Sequence, residues 1–144
     1  MAASFHIDIV SAEEQIFAGT AEMVFAPAEE GEIGIAARHA PLLTRLVPGT
    51  IRVQPGGNAE ELVFFVSGGV LEIQPHVVTV LSDTAQRARD IDEAAAQEAK
   101  RRAEEALARR DADMDIARAQ AELAEAIARL RALEQLRRTM ARRG

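Results

Sequence analysis

Glu29, Glu30 and Glu32 crowd three carboxylates into four residues, and the imidazole of His39 follows closely. Such a set could act as general acid and base or hold a hard cation. Gly31 and Gly34 let this backbone take positive φ and fold back tightly. Pro41 then fixes its own φ and holds Ala40 extended. The frame is rigid, but the chemistry is incomplete. The D-x-[DN]-x-[DN]-G spacing of a calcium loop is absent. His6, His39 and His76 are the only histidines, none four residues from another, and there is no cysteine to join them. Ser67 stands before Gly68-Gly69 without the G-x-S-x-G surroundings of a hydrolase nucleophile. No Lys-Ser/Thr follows that glycine pair to cradle a phosphate. A solvated acidic loop, with His6 and His76 in surface or turn roles, explains these residues better than catalysis.

The whole chain bounds its partners. With 144 residues it is one domain of ordinary size or two small ones, and 48% hydrophobic residues suffice for a core. A net charge of −6 and a pI near 5.1 argue against nucleic acid. The lack of cysteine excludes disulfides and zinc ribbons and points to a reducing compartment, the cytoplasm. No basic n-region opens the chain, so no signal peptide is expected. Its apolar runs, Leu62–Val66 and Val77–Leu81, fall far short of the roughly twenty residues of a membrane span. Membrane association must therefore go through a partner.

Two halves differ in composition. Residues 1–86 carry three arginines against eleven carboxylates, a net −8; residues 87–144 carry fourteen bases against twelve acids, a net +2. Every proline, every phenylalanine and every glycine except Gly144 lies in the first half, while alanine dominates the second. Two domains, 1–86 and 87–144, are expected to meet near Thr84–Asp90. In the first, Phe5, Ile7 and Ile9 alternate with His6 and Asp8 as in a half-buried strand, and Ala21–Phe25 resumes the pattern. Leu46–Val53 is strand-like around Pro48-Gly49, and Pro55–Asn58 makes a turn. Leu62–Val66 is apolar on both faces, as in a strand between two layers. Gly68-Gly69 permits a bulge or a close backbone approach. Val70–Ile73 and Val77–Leu81 read as a hairpin across Gln74-Pro75-His76. Short strands with regular turn signals predict an antiparallel β-sandwich or flattened barrel.

From Asp90 the period becomes helical. Asp90 reads as an N-cap with Glu93 completing a capping box. Ile91, Ala95, Ala99, Ala103, Ala106 and Leu107 share a face of a helix running to about Ala108. Arg109–Asp113 reads as a turn, and a second helix starts near Asp113–Asp115. Its stripe is Ile116, Leu123, Ile127, Leu130, Leu133 and Leu136. The expected product is an antiparallel two-helix hairpin. Alanine contributes little buried area at about 25 cal/mol per Å², against about 1.5 kcal/mol to order each residue. The hairpin should be held marginally, yet Ala, Glu, Arg and Leu keep each helix helical when it detaches.

The stretch Glu30-Gly31-Glu32-Ile33-Gly34-Ile35, with His39-Ala40-Pro41-Leu42-Leu43-Thr44 and VSGGVLEIQPHVVTVLSDTA at 66–85, resembles the epsilon subunit of the rotary F-type ATP synthase. The similarity runs from about Phe5 to Met140. It implies a non-catalytic central-stalk subunit without a cofactor, peripheral on the cytoplasmic face of the bacterial inner membrane. It implies that the sandwich joins the gamma subunit to the c-ring, through Ser67, Gly68 and Gly69 on gamma and Glu32 and His39 on the ring. It implies that the helical arm brakes ATP hydrolysis by docking Arg129, Arg131, Arg137 and Arg138 on the alpha and beta catalytic subunits. Ala36-Ala37-Arg38 departs from the Pro-Gly turn of many relatives. Some epsilon subunits bind ATP through Ile/Leu-Asp-x-x-Arg-Ala and arginines of the second helix. Here Ile91, Asp92 and Arg129 match, while Ala95 and Glu125 replace cations, which removes charge-assisted bonds to phosphate. Apart from the resemblance, the residues also allow a generic binding module or an enzyme acting on small anions at the His39 loop.

Overall fold

Alternation of apolar and polar residues, with a turn signal after nearly every run, produces ten strands ahead of two helices. The computed structural model describes residues 3–109 and 115–142. The strands are β1 (Phe5–Ser11), β2 (Gln15–Ala21), β3 (Met23–Ala28), β4 (Gly31–Ala36), β5 (Leu42–Leu46), β6 (Gly49–Gln54), β7 (Leu62–Val66), β8 (Gly69–Ile73), β9 (Val77–Ser82) and β10 (Ala85–Arg87). A short 3-10 turn over Ala88–Asp90 leads to α1 (Glu93–Arg109) and α2 (Ile116–Ala141).

The strands run in the order β10-β7-β6-β3-β5-β8-β9-β1-β2, with β4 on β3. One residue pair, Ala28 with Leu46, joins β3 to β5, and there the sheet folds into two layers. Ile7, Ile9, Val24, Ile35, Ile51, Phe64, Leu71, Ile73 and Val80 fill the space between them. Phe17 of β2 meets Phe64 of β7 with centroids 5.4 Å apart, so the two ends of the sheet nearly close. Arg87 of β10 lies over both rings. The result is the expected sandwich approaching a barrel. One pairing departs from the antiparallel expectation: β1 lies parallel to β9. Alternation in Phe5–Ile9 marks which face is buried, and it is blind to strand direction.

The helical half departs further from expectation than the strands do. Asp92, not Asp90, caps α1: its Oδ1 accepts the Ala95 N–H at 3.1 Å. Asp90 is used up in the 3-10 turn, because Ala88 and Ile91 on either side of it are buried against the sandwich. On α1 the buried alanines are Ala96 and Ala103, and Ala95 is exposed. On α2 the buried face is again largely alanine (Ala119, Ala126, Ala128, Ala132) with Leu133, and Ile116 of the expected stripe is exposed. Small side chains let α2 lie close to α1 and to the sandwich at once, so its apolar surface is spread round two sides. Apart from Arg109 in the last turn of α1, the turn expected over Arg109–Asp113 lies outside the described residues. Asp115 caps α2 by accepting the Arg118 N–H at 3.0 Å.

Candidate functional site

Glu29 and Glu30 form the tip of the β3–β4 hairpin, so the acidic stretch is a turn followed by a strand. Gly31 takes φ 132° there. Gly34 stays extended within β4, where a Cβ would stand 3.2 Å from the Phe25 ring. Glu32 near that tip pairs with Arg52 at 3.5 Å and lines a cleft under α2 with Pro48, Ile127 and Arg131. His39 follows the opposite end of β4, with Nδ1 2.7 Å from the Ala40 carbonyl oxygen. The strand between Glu32 and Ala36 alone spans about 14 Å. Glu32 and His39, expected on one surface, stand at opposite ends of the sandwich. The turn before His39 is held by Arg38, whose φ is 65° and whose N–H donates to Pro75 O at 3.0 Å. Arginine thus adopts the left-handed conformation that glycine takes more cheaply.

Ser67, Gly68 and Gly69 share the Glu32 end, since Leu46 pairs with both Ala28 and Gly69. Their geometry is first of all internal. Ser67 exchanges backbone and side-chain hydrogen bonds with Thr84 at 2.9 and 3.0 Å. Gly69 has φ 126°, and a Cβ on it would stand 2.0 Å from the Leu81 carbonyl oxygen. Gly69→Ala is therefore expected to destabilise the sandwich by about 2–4 kcal/mol through strain and displaced backbone. Thermal unfolding of the purified chain reads this directly, whatever Gly69 touches in a complex.

The arginines of α2 are divided among neighbours. Arg129 stacks on Phe65 of β7, 4.3 Å from the ring centroid. Arg131 lines the cleft that also holds Glu32. Arg137 binds Glu93 in the first turn of α1, and Arg138 pairs with Glu134 at 3.6 Å. The partial nucleotide motif is likewise occupied: Ile91 is buried in the seam between α2 and the sandwich, Asp92 caps α1, and Arg129 covers Phe65. Glu125 and Arg129 border the groove between the helices, beside Ala99 and Ala103.

Two features escaped the sequence. One is Glu61, whose carboxylate accepts from Gln54, Gln135 and Thr139 and lies beside Arg52. Burial alone would raise this group, but those hydrogen bonds and the Arg52 charge outweigh it and hold it below its ordinary value of 4.5. Its contribution is complete above that value and is lost only as pH falls through the lowered folded one. The other is the outer face of β5, β8, β9 and β1. Leu43, Val70, Val77 and Leu81 project from it, Leu43 68% and Leu81 50% exposed. The opposite outer face, with Val63 and Phe65, is covered by α2. A period-two reading of Val77–Leu81 with apolar residues at both parities was the available signal.

These surfaces can be set beside known proteins. A family model for the beta-sandwich domain of the ATP synthase delta/epsilon chain matches residues 4–88, and one for its long alpha-helix domain matches residues 89–134. The chain is 64% identical to the ATP synthase epsilon chain of Halorhodospira halophila over 135 residues, 94% of this chain and 96% of that one. The chain belongs to the ATP synthase epsilon-chain family. Another epsilon chain, from Nitrosococcus oceani, is 63% identical over 97% of this chain and 99% of its own length. As an epsilon chain it is a non-catalytic subunit of ATP synthase, a proton-transporting complex. Its fold is similar to a chain in the mitochondrial ATP synthase OSCP/F1/c-ring assembly of Euglena gracilis, with TM-score 0.70, 24% identity, and 88% and 78% of the two chains covered. A chain of the Tetrahymena thermophila central stalk/c-ring assembly matches with TM-score 0.63 at 13% identity, covering 92% of this chain and 98% of that one. At those identities the likeness is one of fold alone. Among the described residues no helix is long and apolar enough to cross a membrane.

Proposed function

We propose that this chain works in the central stalk, joining gamma to the c-ring with its sandwich and restraining ATP hydrolysis with its helical arm. Membership of the epsilon family over nearly the full length carries the reading. The two opposite faces of the sandwich support its division of labour. The uncovered face with Leu43 and Leu81 is assigned to gamma, and His39, in the turn leading into β5, joins that contact at its rim. Gly68 and Gly69 hold β8 where Val70 projects into the same face. The acidic hairpin tip with Glu32 is assigned to the c-ring, at the cytoplasmic face of the bacterial membrane. The parts 1–86 and 87–144 act as clamp and arm. Ion pairs along α1 (Glu98, Arg101, Glu105) and α2 (Arg118, Glu122) support each helix by itself. Helices of 17 and 26 residues reach about 25 and 39 Å at 1.5 Å per residue, enough to climb a stalk when extended. The test is the hydrolysis rate of the catalytic complex with gamma, with and without this chain. Equal rates would remove the brake from the reading.

The basic end of α2 supplies a finer prediction. Arg131 and Arg138 lie seven residues apart on one face, with Arg137 adjacent, flanking Leu130, Leu133 and Leu136. Arg137 is released from Glu93 only if the two helices part. Exposed ion pairs contribute ~0–1 kcal/mol each. Single changes to alanine are thus expected to weaken inhibition little, whereas Arg131→Ala/Arg137→Ala/Arg138→Ala together raise the inhibition constant about tenfold. Wild-type inhibition should also decline as salt shortens the Debye length below about 8 Å. An unchanged constant in the triple variant, with the arm still helical, makes these arginines a solvated helix end.

A further inference from the structure

Glu61 precedes β7 by one residue, and its side chain is only 9% exposed. Its two oxygens serve different parts of the molecule. Oε1 accepts from Thr139 Oγ1 at 2.8 Å and from Gln135 Nε2 at 3.2 Å, both in the last turns of α2. Oε2 accepts from Gln54 Nε2 at 2.9 Å and lies 3.4 Å from Arg52 Nη1, both on β6. One carboxylate therefore bridges arm and sandwich. The apolar part of the same seam is thin on the arm side, with Ala128, Ala132 and Leu133 buried and Leu136 partly so. Alanines cover Val63 and Phe65 without interlocking with them, and so fix no unique register. A buried charge that must find its donors does fix one.

We propose that Glu61, with Gln135 and Thr139, is the latch that holds the arm on the sandwich and sets how readily it leaves. This rests on the reading that the arm detaches in function. The chemistry suits a reversible catch. When α2 departs, water takes the place of Thr139 and Gln135 at Oε1, and Oε2 keeps Gln54 and Arg52. Arg52 also keeps Glu32, so no charge is stranded. Hydrogen bonds exchanged for water leave only a modest net preference for the closed state, larger when one partner is charged. The pair Arg137–Glu93 joins α2 to α1 and travels with the hairpin, so it does not oppose departure of the arm as a unit.

The chain has no cysteine, so spin labels can be placed cleanly at Ala18→Cys on β2 and Ala121→Cys on α2, both exposed. Pulsed electron resonance on the full-length chain should give one narrow distance for wild type. Glu61→Ala is expected to lower the docked-to-undocked ratio about tenfold, giving a broad, longer component. Thr139→Val with Gln135→Leu alters only α2, leaves every sandwich atom in place, and should do the same. Combining both sides should add little, since each removes the same interaction. A broad distribution in wild type overturns the latch. So does an unchanged narrow one in both variants with the circular dichroism of the folded chain. Hydrolysis assays on the same variants separate the two readings. Released arms that inhibit several-fold more strongly support both latch and brake, while released arms with unchanged inhibition support the latch and overturn the brake.

Discussion

Changing Leu43 and Leu81 to lysine together is expected to abolish assembly with gamma while the sandwich stays folded. Both side chains project from the uncovered face, and neither contributes to the buried core. Leu43 stands opposite Glu72 across β5 and β8, so Leu43→Lys acquires an oppositely charged cross-strand neighbour. Leu81 stands opposite Val70 on β8 and Val10 on β1, and a lysine there can extend its charge into water. Thermal unfolding should accordingly shift by only a few degrees, because surface changes of this kind stay within about 0.5 kcal/mol each. In a complex the same lysines would bury charge where leucine buried hydrocarbon. Losing two leucines removes ~3–6 kcal/mol of apolar burial before any charge penalty. That corresponds to at least about a hundredfold in affinity. Titration calorimetry with purified gamma measures it. Retained binding within about threefold of wild type would move the gamma contact off this face.

How much of this was legible in the residues follows from what each pattern encodes. Period-two alternation in Phe5–Ile9 and the two-sided apolar run Leu62–Val66 located strands and layers, because burial of one or both faces selects those residues directly. Leu62–Val66 does lie between layers: Phe64 and Val66 point into the sandwich, Val63 and Phe65 toward α2. Strand direction left no such trace, so the parallel β1–β9 pair was invisible. The helical half was harder. On α1 the expected alanine face keeps Ala103 but buries Ala96 in place of Ala95, and on α2, where leucine and isoleucine mark the expected stripe, close packing also buries Ala126 and Ala132 and leaves Ile116 outside. Sites fared worse for a further reason. Glu32 and His39 are seven residues apart in a strong motif, yet an extended strand carries them to opposite ends of the sandwich. Glu61 gave no signal of its bridging role, since its two partners on α2 stand 74 and 78 residues further along the chain.

Ending the chain after Asp90 is expected to remove inhibition of hydrolysis completely and to leave gamma binding intact. The main core lies wholly between β1 and β10, so none of its buried residues is lost. What the fragment loses is the cover over the second cluster. Val63 and Phe65 become exposed when Ile91, Ala128, Ala132 and Leu133 are removed. Exposing one phenylalanine and one valine forfeits about 3–5 kcal/mol. For a unit of this size each kcal/mol lowers the melting temperature by about 4–8 °C. A marked drop, of order 15–30 °C, is therefore expected without loss of the cooperative transition. Glu61 adds only modestly to the loss, because it keeps Gln54 and Arg52 and exchanges two helix donors for water. Polar replacements at the bared positions, Val63→Thr and Phe65→Thr, should restore solubility while leaving the inner face of β7 unchanged. The face proposed for gamma, with Leu43 and Leu81, lies on the other layer and is untouched. Circular dichroism and melting establish whether the fragment folds. Calorimetry with gamma and hydrolysis by the reconstituted complex then separate clamp from arm. An unfolded fragment would show that sandwich and arm fold only together, and a folded fragment that still inhibits would place the brake in the sandwich.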